Sequence, residues 1–488
     1  MPKIFSLART MRQVGQGLIG NSVASLFPRT GVLPPIRMAS QAQVYVRPGV
    51  TPCLEPERFF NRNRECKDVE AILNQDPQIS VFLGPPNSGK TTLLRHVLSQ
   101  MAAKKRPILH IDLRNVSFNT PEGVYRIFAE ESLGLLQRIH AMLPETSIKV
   151  DGSSIFGIGP DFEVTLAKKA IETEAAKERN SADKLNVVFE VISRALPQKT
   201  LFGFKTNPVL FIDEANELKA LLKHPDGQDV LRNLFKWFVG KTKQEARFHV
   251  ILGSSSSFFH LWLSRFVNQD HYKSYVIGNL DQQEAARYWA EKVVPDFDWS
   301  GHAPPPFKMA YDICGGNMMH MKQLALQWTL NKGHLRREGF DLVIGALERL
   351  RRACRPEYFT ESLARHYQSP DSREPEPKWS KDQLLEVLQQ LVHTQEGFLI
   401  RDELCQKIKQ SVIDSMIEHH LLHLRPRKEF SYDLPSAPDN NAIVTPVSQA
   451  DLYAMRLLLQ EYGKLPKPTN ESKESGTAQN SSTSAMRP

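Results

Sequence analysis

From residue 59 onward, short and nearly unbroken apolar runs alternate with longer stretches of helical periodicity. Residues 79–83, 107–113, 208–213 and 248–253 read as strands. They carry no regular polar face, which is the pattern of a parallel sheet covered by helices on both sides. The intervening segments 93–101, 120–142 and 183–196 repeat apolar residues at helical spacing. In the last of these, Val187, Val188, Val191, Ile192 and Leu196 form one side. Thr120-Pro121 marks a helix start, a capping residue followed by proline at the first helical position.

Two other stretches break the alternation. Residues 147–166 alternate in a strand-like way around Gly and Pro and predict a hairpin or surface excursion. Residues 167–182 are polar and charged, either an exposed helix or a mobile insert. Beyond residue 281 the pattern turns helical: 281–294, 307–313, a long helix after Gly315-Gly316-Asn317, and an arginine-rich stretch 336–364 with a break at Pro356. The Pro-rich segment 366–377 reads as a linker. Three helical patterns follow at 380–393, 400–408 and 412–419, and then two apolar runs at 421–427 and 442–447. Three short helices and a strand pair suggest a winged-helix-like module. The expected division is therefore 1–50 transit peptide or disordered, 51–280 sheet core, 281–365 helical lid, 366–378 linker, 379–465 winged-helix-like module and 466–488 disordered tail. The tail is rich in Ser, Thr, Asn, Lys and Pro.

The turn after the first strand carries the most specific chemistry. Gly84-Pro85-Pro86-Asn87-Ser88-Gly89-Lys90-Thr91 fits G-x-x-x-x-G-K-[ST], with Thr92 next and a helix behind it. A loop that opens into a helix N-terminus aims several backbone N–H groups at one point, and the helix dipole adds positive potential there. Gly84 and Gly89 allow close approach that a Cβ would block. Lys90 can reach β- and γ-phosphates, and the Thr91 hydroxyl can complete a Mg2+ shell. The second half of such a site is expected at the end of the 208–213 run, where Asp213 and Glu214 emerge at the carboxyl edge of the sheet. Asp213 would hold Mg2+ directly or through water, and Glu214 would polarise an attacking water as base or orienter. Ser254 or Ser255, ending the next strand, would face the γ-phosphate and could sense it.

Taken together these residues resemble the archaeal-type P-loop ATPases, near the boundary between AAA+ proteins and STAND signalling NTPases. Gly84 to Thr91 and Asp213-Glu214 match the Walker A and B motifs without departure. Phe59-Phe-Asn-Arg-Asn-Arg-Glu-Cys66 is similar to the entry motif F-h-G-R-x-x-E-L, with Asn61 in place of Gly, and His110-Ile-Asp-Leu-Arg114 looks like the second strand. Gly253-Ser254-Ser255 resembles the sensor strand, and Gly278 to Ala285 the entry to the helical lid. Gly315-Gly-Asn-Met-Met-His320 resembles the G-G-N-P segment, with Met318 where Pro is common. The nearest basic residue after it is Lys322, and Arg265 stands as a candidate arginine finger.

The resemblance implies an α/β P-loop NTPase with a parallel sheet core, a helical lid and the winged-helix-like end. It implies ATP rather than GTP, since no N-K-x-D motif reads guanine, and in-line attack of water on the γ-phosphate. Lys90 and the loop amides would stabilise charge, Thr91 and Asp213 would place Mg2+, and Glu214 and Ser254 would serve the chemistry. Three roles fit that chemistry: a nucleotide-controlled switch or scaffold, an oligomeric motor remodelling DNA or protein in an organelle, and a small-molecule kinase sharing the loop. The Asp-Glu pair and the long C-terminal extension stand against the kinase.

Charge and cysteine usage refine the setting. The formal net charge is +8, but residues 1–54 hold six Lys or Arg and no acid, so the remainder carries only 8 − 6 = +2. The basic balance therefore does not mark a nucleic-acid footprint on the folded body. Arg425, Arg427 and Lys428 offer one small basic cluster for nucleic acid, and the C-terminal module is also where a protein partner is expected. In the first segment Ile4, Leu7, Ala8, Met11, Val14 and Leu18 share one helical face, with Arg9 and Arg12 largely opposite. That is the pattern of a mitochondrial matrix presequence; a chloroplast address, or a cytosolic form begun at Met38, are the alternatives. Five scattered cysteines form no C-x-x-C and suit a reducing compartment. No apolar run reaches the ~18 residues of a membrane span.

Overall fold

A computed structural model describes residues 59–114, 116–141, 149–150, 153–154, 168–169, 171–195, 207–299, 301–356, 376–426, 432–438 and 440–466. All of them belong to one compact unit, Pro48–Pro488. The segment 1–50, the cluster residues Arg427 and Lys428, and the tail 467–488 lie outside the described residues, as does nearly all of the proposed linker.

Five parallel strands form the central sheet: β1 (Ile79–Leu83), β2 (Ile108–Asp112), β5 (Val209–Asp213), β6 (His249–Gly253) and β7 (Tyr272–Val276), in the order β2-β5-β6-β1-β7. A two-residue ladder, β3 (Lys149–Val150) with β4 (Ser153–Ser154), is what the described residues show of the expected hairpin. Every residue of β1, β5 and β6 is buried, which is why these strands read as continuous apolar runs. One layer of core joins them to the helices Pro121–Ala141, Ser181–Ala195 and Gly227–Val239. The opposite layer packs Phe82, Phe211 and Ile251 against the helices Asn63–Leu73 and Lys90–Ala103. This is the P-loop NTPase fold. The 167–182 stretch differs from the expected exposed helix or insert: Ile171 and Ala175 are buried in the main core.

The helices Gln282–Tyr288, Phe307–Cys314, Met318–Leu330 and Asp341–Ala353 make the lid, around Tyr288, Trp289, Ile313, Met321 and Phe340. The C-terminal module is winged-helix-like. Helices Lys381–His393, Arg401–Lys407 and Gln410–Glu418 pack on an antiparallel sheet of β8 (Leu399–Ile400), β9 (His423–Arg425) and β10 (Ile443–Thr445), ordered β8-β10-β9. A capping box on Ser380 and Gln383 fixes the first of these helices. A final helix, Gln449–Glu461, buries Leu458 and Leu459 in the module core and Ala450 in the lid core, and so binds the two together.

Candidate functional site: a phosphate loop closed by the C-terminal module

The loop between β1 and the Lys90 helix is built by three backbone demands. Gly84 passes so close to the Ile277 carbonyl that a Cβ would lie 2.2 Å from its oxygen. Gly89 has φ +85° and Asn87 has φ 60°, the left-handed region that Gly and Asn tolerate best. Gly84, Pro85, Ser88 and Lys90 are buried, Pro86 and Asn87 crown the loop, and Thr91 and Thr92 are half-buried. Lys90 Nζ donates to the carbonyls of Gly84 (2.9 Å) and Pro85 (3.1 Å), folding over the cradle instead of projecting to solvent. Burial lowers its pKa to about 8, against the pull of Glu214 and Asp213.

The two halves expected from sequence meet here. Thr91 Oγ1 donates to Asp213 Oδ1 at 3.0 Å, and the Glu214 amide donates to the same oxygen at 3.1 Å. Gly253 lies so near that a Cβ there would sit 3.2 Å from Asp213 Oδ1. Glu214 turns out of the sheet at φ 52°, a conformation uncommon outside Gly, and its Oε2 accepts from Ser255 Oγ at 3.1 Å. Ser254 instead donates to Asn216 Oδ1 at 2.9 Å, and its oxygen accepts the Ser256 amide. Of the two serines left open by the sequence, Ser255 therefore reaches the acid and Ser254 braces the turn. Burial raises the Asp213 pKa, opposed by the Thr91 hydrogen bond and by Arg95. Thr91 and Asp213 are hard oxygen donors beside a phosphate cradle, a set that fits Mg2+. Among the described residues no group of three His, Cys, Asp or Glu forms a separate metal cage.

The remaining walls come in part from the entry motif, whose Arg and Glu are Arg62 and Glu65. Arg62 is 1 % exposed, and its Nη2 donates to Ser88 O (2.5 Å) and Gly278 O (2.9 Å) while Nη1 pairs with Glu65 at 2.9 Å. It therefore ties the phosphate loop to the start of the lid. Asn61, which stands where the entry motif has Gly, adopts φ 45°, so the position keeps its left-handed turn. Met318 Cε would touch a Cβ at Gly89 at 3.2 Å, which puts the lid helix against the loop. Lys322 pairs with Asp296 at 3.0 Å on the surface, and Arg265 is exposed.

Strand β9 of the C-terminal module packs beside the site, the Leu424 amide donating to Ser257 Oγ at 3.4 Å. His423 is buried, neither ring nitrogen has a hydrogen-bond partner, and Lys90 and Arg425 are among the cations that hold its pKa far down, after burial itself. Arg425 pairs twice with Asp433, both contacts 2.9 Å, and Asp433 Oδ2 accepts the Asn279 amide at 3.1 Å. Tyr432 donates to Asp68 at 2.6 Å.

A parallel sheet whose carboxyl edge gathers the glycine-bounded loop, Thr91, Asp213 and Glu214 defines a P-loop nucleotide-binding protein. The chain belongs to the family described as ATPase domain predominantly from Archaea, whose match spans residues 59–324. Relatives include two uncharacterized ATP-binding proteins of Methanocaldococcus jannaschii. One is 25 % identical over 234 residues, 47 % of this chain and 59 % of the relative. The other is 28 % identical over 204 residues, 41 % and 53 % of the respective chains. The chain thus spans little more than half the length of these relatives. Among solved structures, a Walker-type ATPase of Pyrococcus abyssi aligns at TM-score 0.42 and 14 % identity, covering 83 % of this chain and 99 % of that one. The ORC2 protein of Aeropyrum pernix aligns at TM-score 0.36 and 10 % identity, covering 83 % and 97 %. Among the described residues no helix is long and apolar enough to cross a membrane.

Proposed function

We propose that this protein is a Mg2+-dependent ATP-hydrolysing switch or scaffold, in which the bound nucleotide sets the position of the C-terminal module. One observation carries the reading: the module is bonded to the segments that flank the phosphate site. The Leu424 amide of β9 donates to Ser257 Oγ just past the sensor strand, and Asp433 grips the Asn279 amide where the lid begins. A change at the γ-phosphate position therefore acts on side chains of both parts, which is what a two-state element needs.

In this reading the loop amides and Lys90 bind the β- and γ-phosphates. Thr91 and Asp213 hold Mg2+, which when bound neutralises phosphate charge. Glu214, oriented by Ser255, takes or directs the proton of the attacking water. Ser254 acts through Asn216 to hold that turn. Burial keeps His423 neutral. The protein partner is expected on the surface the module exposes when it moves. Residues 1–50 would deliver the chain to the mitochondrial matrix; import into isolated mitochondria with shortening of the precursor tests that part.

The test is a distance measurement between labels on the sheet core and on the C-terminal module, in ADP and in a non-hydrolysable ATP analogue. A nucleotide-dependent change supports the switch, and an unchanged distance with both nucleotides bound removes it. The motor reading makes a different demand, an assembly that brings Arg265 to a neighbour's nucleotide; ATP-dependent growth in light scattering would favour it.

A further inference from the structure

Asp112 and Asp213 are register partners at the ends of the adjacent strands β2 and β5, so two carboxylates stand side by side at the carboxyl edge of the sheet. Two guanidinium groups bridge them. Arg95 Nη2 donates to Asp112 Oδ2 at 3.0 Å and to Asp213 Oδ2 at 3.4 Å. Arg114 Nη2 donates to Asp112 Oδ2 and, at 3.5 Å, to Asp213 Oδ2, while its Nε holds Asp112 Oδ1 at 2.8 Å. The metal carboxylate is thus fully engaged: Oδ1 by Thr91 and the Glu214 amide, Oδ2 by two arginines.

The two arginines are not equivalent. The Arg95 side chain is 13 % exposed and rises from the first turns of the Lys90 helix, whereas the Arg114 side chain is 54 % exposed and follows the end of β2. A divalent cation arriving at Asp213 meets two positive charges, and the one with open solvent beside it can leave.

We propose that Arg114 is a placeholder cation, holding the Asp112–Asp213 pair until Mg2+ displaces it, so that metal enters only when phosphate charge arrives with it. The inference rests on the nucleotide-binding reading above and adds an order to it. A guanidinium with the metal's own preference for carboxylate makes the bare protein a poor Mg2+ binder. The triphosphate brings enough negative charge to hold both the metal and the released arginine. Asp112 then has a role that no motif assigned: it retains the arginines when Asp213 turns to the metal. Metal and nucleotide loading become coupled, each improving the site for the other.

The test is Mn2+ binding to the full chain without nucleotide, read from the free-ion electron paramagnetic resonance signal, with ATP binding measured in parallel. Arg114→Gln removes one charge several ångströms from the metal position in a water-exposed setting and should tighten Mn2+ by about tenfold. Arg114→Lys should stay near wild type, and Asp112→Asn should weaken Mn2+ by a similar factor. Unchanged or weaker Mn2+ binding in Arg114→Gln overturns the placeholder and leaves a fixed positioning group. Wild-type protein that binds no ATP at all, with or without metal, overturns the nucleotide reading as well, so the two failures are distinct.

Discussion

Thr91 and Asp213 lie 122 positions apart in the chain, yet the hydroxyl of one donates to the carboxylate of the other at 3.0 Å. The loop that follows β1 and the acid that ends β5 are held at one point by the sheet, although β6 runs between their strands. The phosphate loop and the acidic pair of β5 meet at that contact.

Lys90 supplies the cation within the cradle, folded over the Gly84 and Pro85 carbonyls. Lys90→Ala should weaken ATP binding by about a hundredfold or more, the value of losing a charge-assisted contact in a buried site. Calorimetry or a fluorescent nucleotide measures it. Wild-type affinity in the variant would separate the loop from phosphate binding.

Glu214, held by Ser255, leaves binding to others. Glu214→Gln should keep ATP affinity within a few-fold and slow turnover by about 10² to 10⁴. Ser255→Ala should lower turnover more than affinity, and Ser254→Ala should act chiefly on stability through Asn216. Single-turnover hydrolysis beside equilibrium binding separates these outcomes.

The buried Lys90 ammonium gives opposite pH signs to binding and folding. Binding needs the charged form, so ATP affinity should be level below pH about 8 and fall above it by up to tenfold per unit. Folding behaves otherwise, because the unfolded lysine keeps its proton up to its ordinary 10.5 while the folded one releases it near 8. The nucleotide-free protein should gain stability relative to Lys90→Met between those two values. Denaturant melts of both proteins across that range check the sign.

Arg425 and Asp433 form a doubly bonded buried pair where the module meets the core. Arg425→Met leaves Asp433 uncompensated and should cost about 3 to 5 kcal/mol, with part recovered by adding Asp433→Leu. Gly278→Ala should also part the surfaces, since its Cβ would fall 2.0 Å from Asp433 Oδ1. Nucleotide release should quicken in both single variants, as stopped-flow exchange would show.

The sheet and the first half of the site could be read from sequence because burial on both faces leaves an unmistakable apolar run in β1, β5 and β6, and because the loop chemistry depends on local spacing. Strand β7 leaves a weaker signal. Tyr272-Lys-Ser-Tyr-Val276 is an edge strand, half-exposed at its start, and its mixed pattern matches neither a buried run nor a clean alternation. The helices Gly227–Val239 and Gln449–Glu461 are absent from the expected elements, though the first carries a clear apolar side at Val230, Leu231, Leu234, Phe235 and Phe238. His423, Asp433 and the Arg95–Arg114 bridge could not be read in this way. Arg95 and Arg114 meet Asp213 from 118 and 99 positions away and Asp433 meets the Asn279 amide across 154, and no spacing rule encodes such meetings.

The placement of β9 has a practical corollary for anyone trimming the gene. The family match stops at residue 324, but the residues that hold Asn279 and Asp68 beside the loop, Asp433 and Tyr432, lie a hundred positions later. A fragment ending there would lose the Asp433 contact to Asn279 and the Tyr432 contact to Asp68. Assays on such a fragment would describe a loop whose flanks have been released.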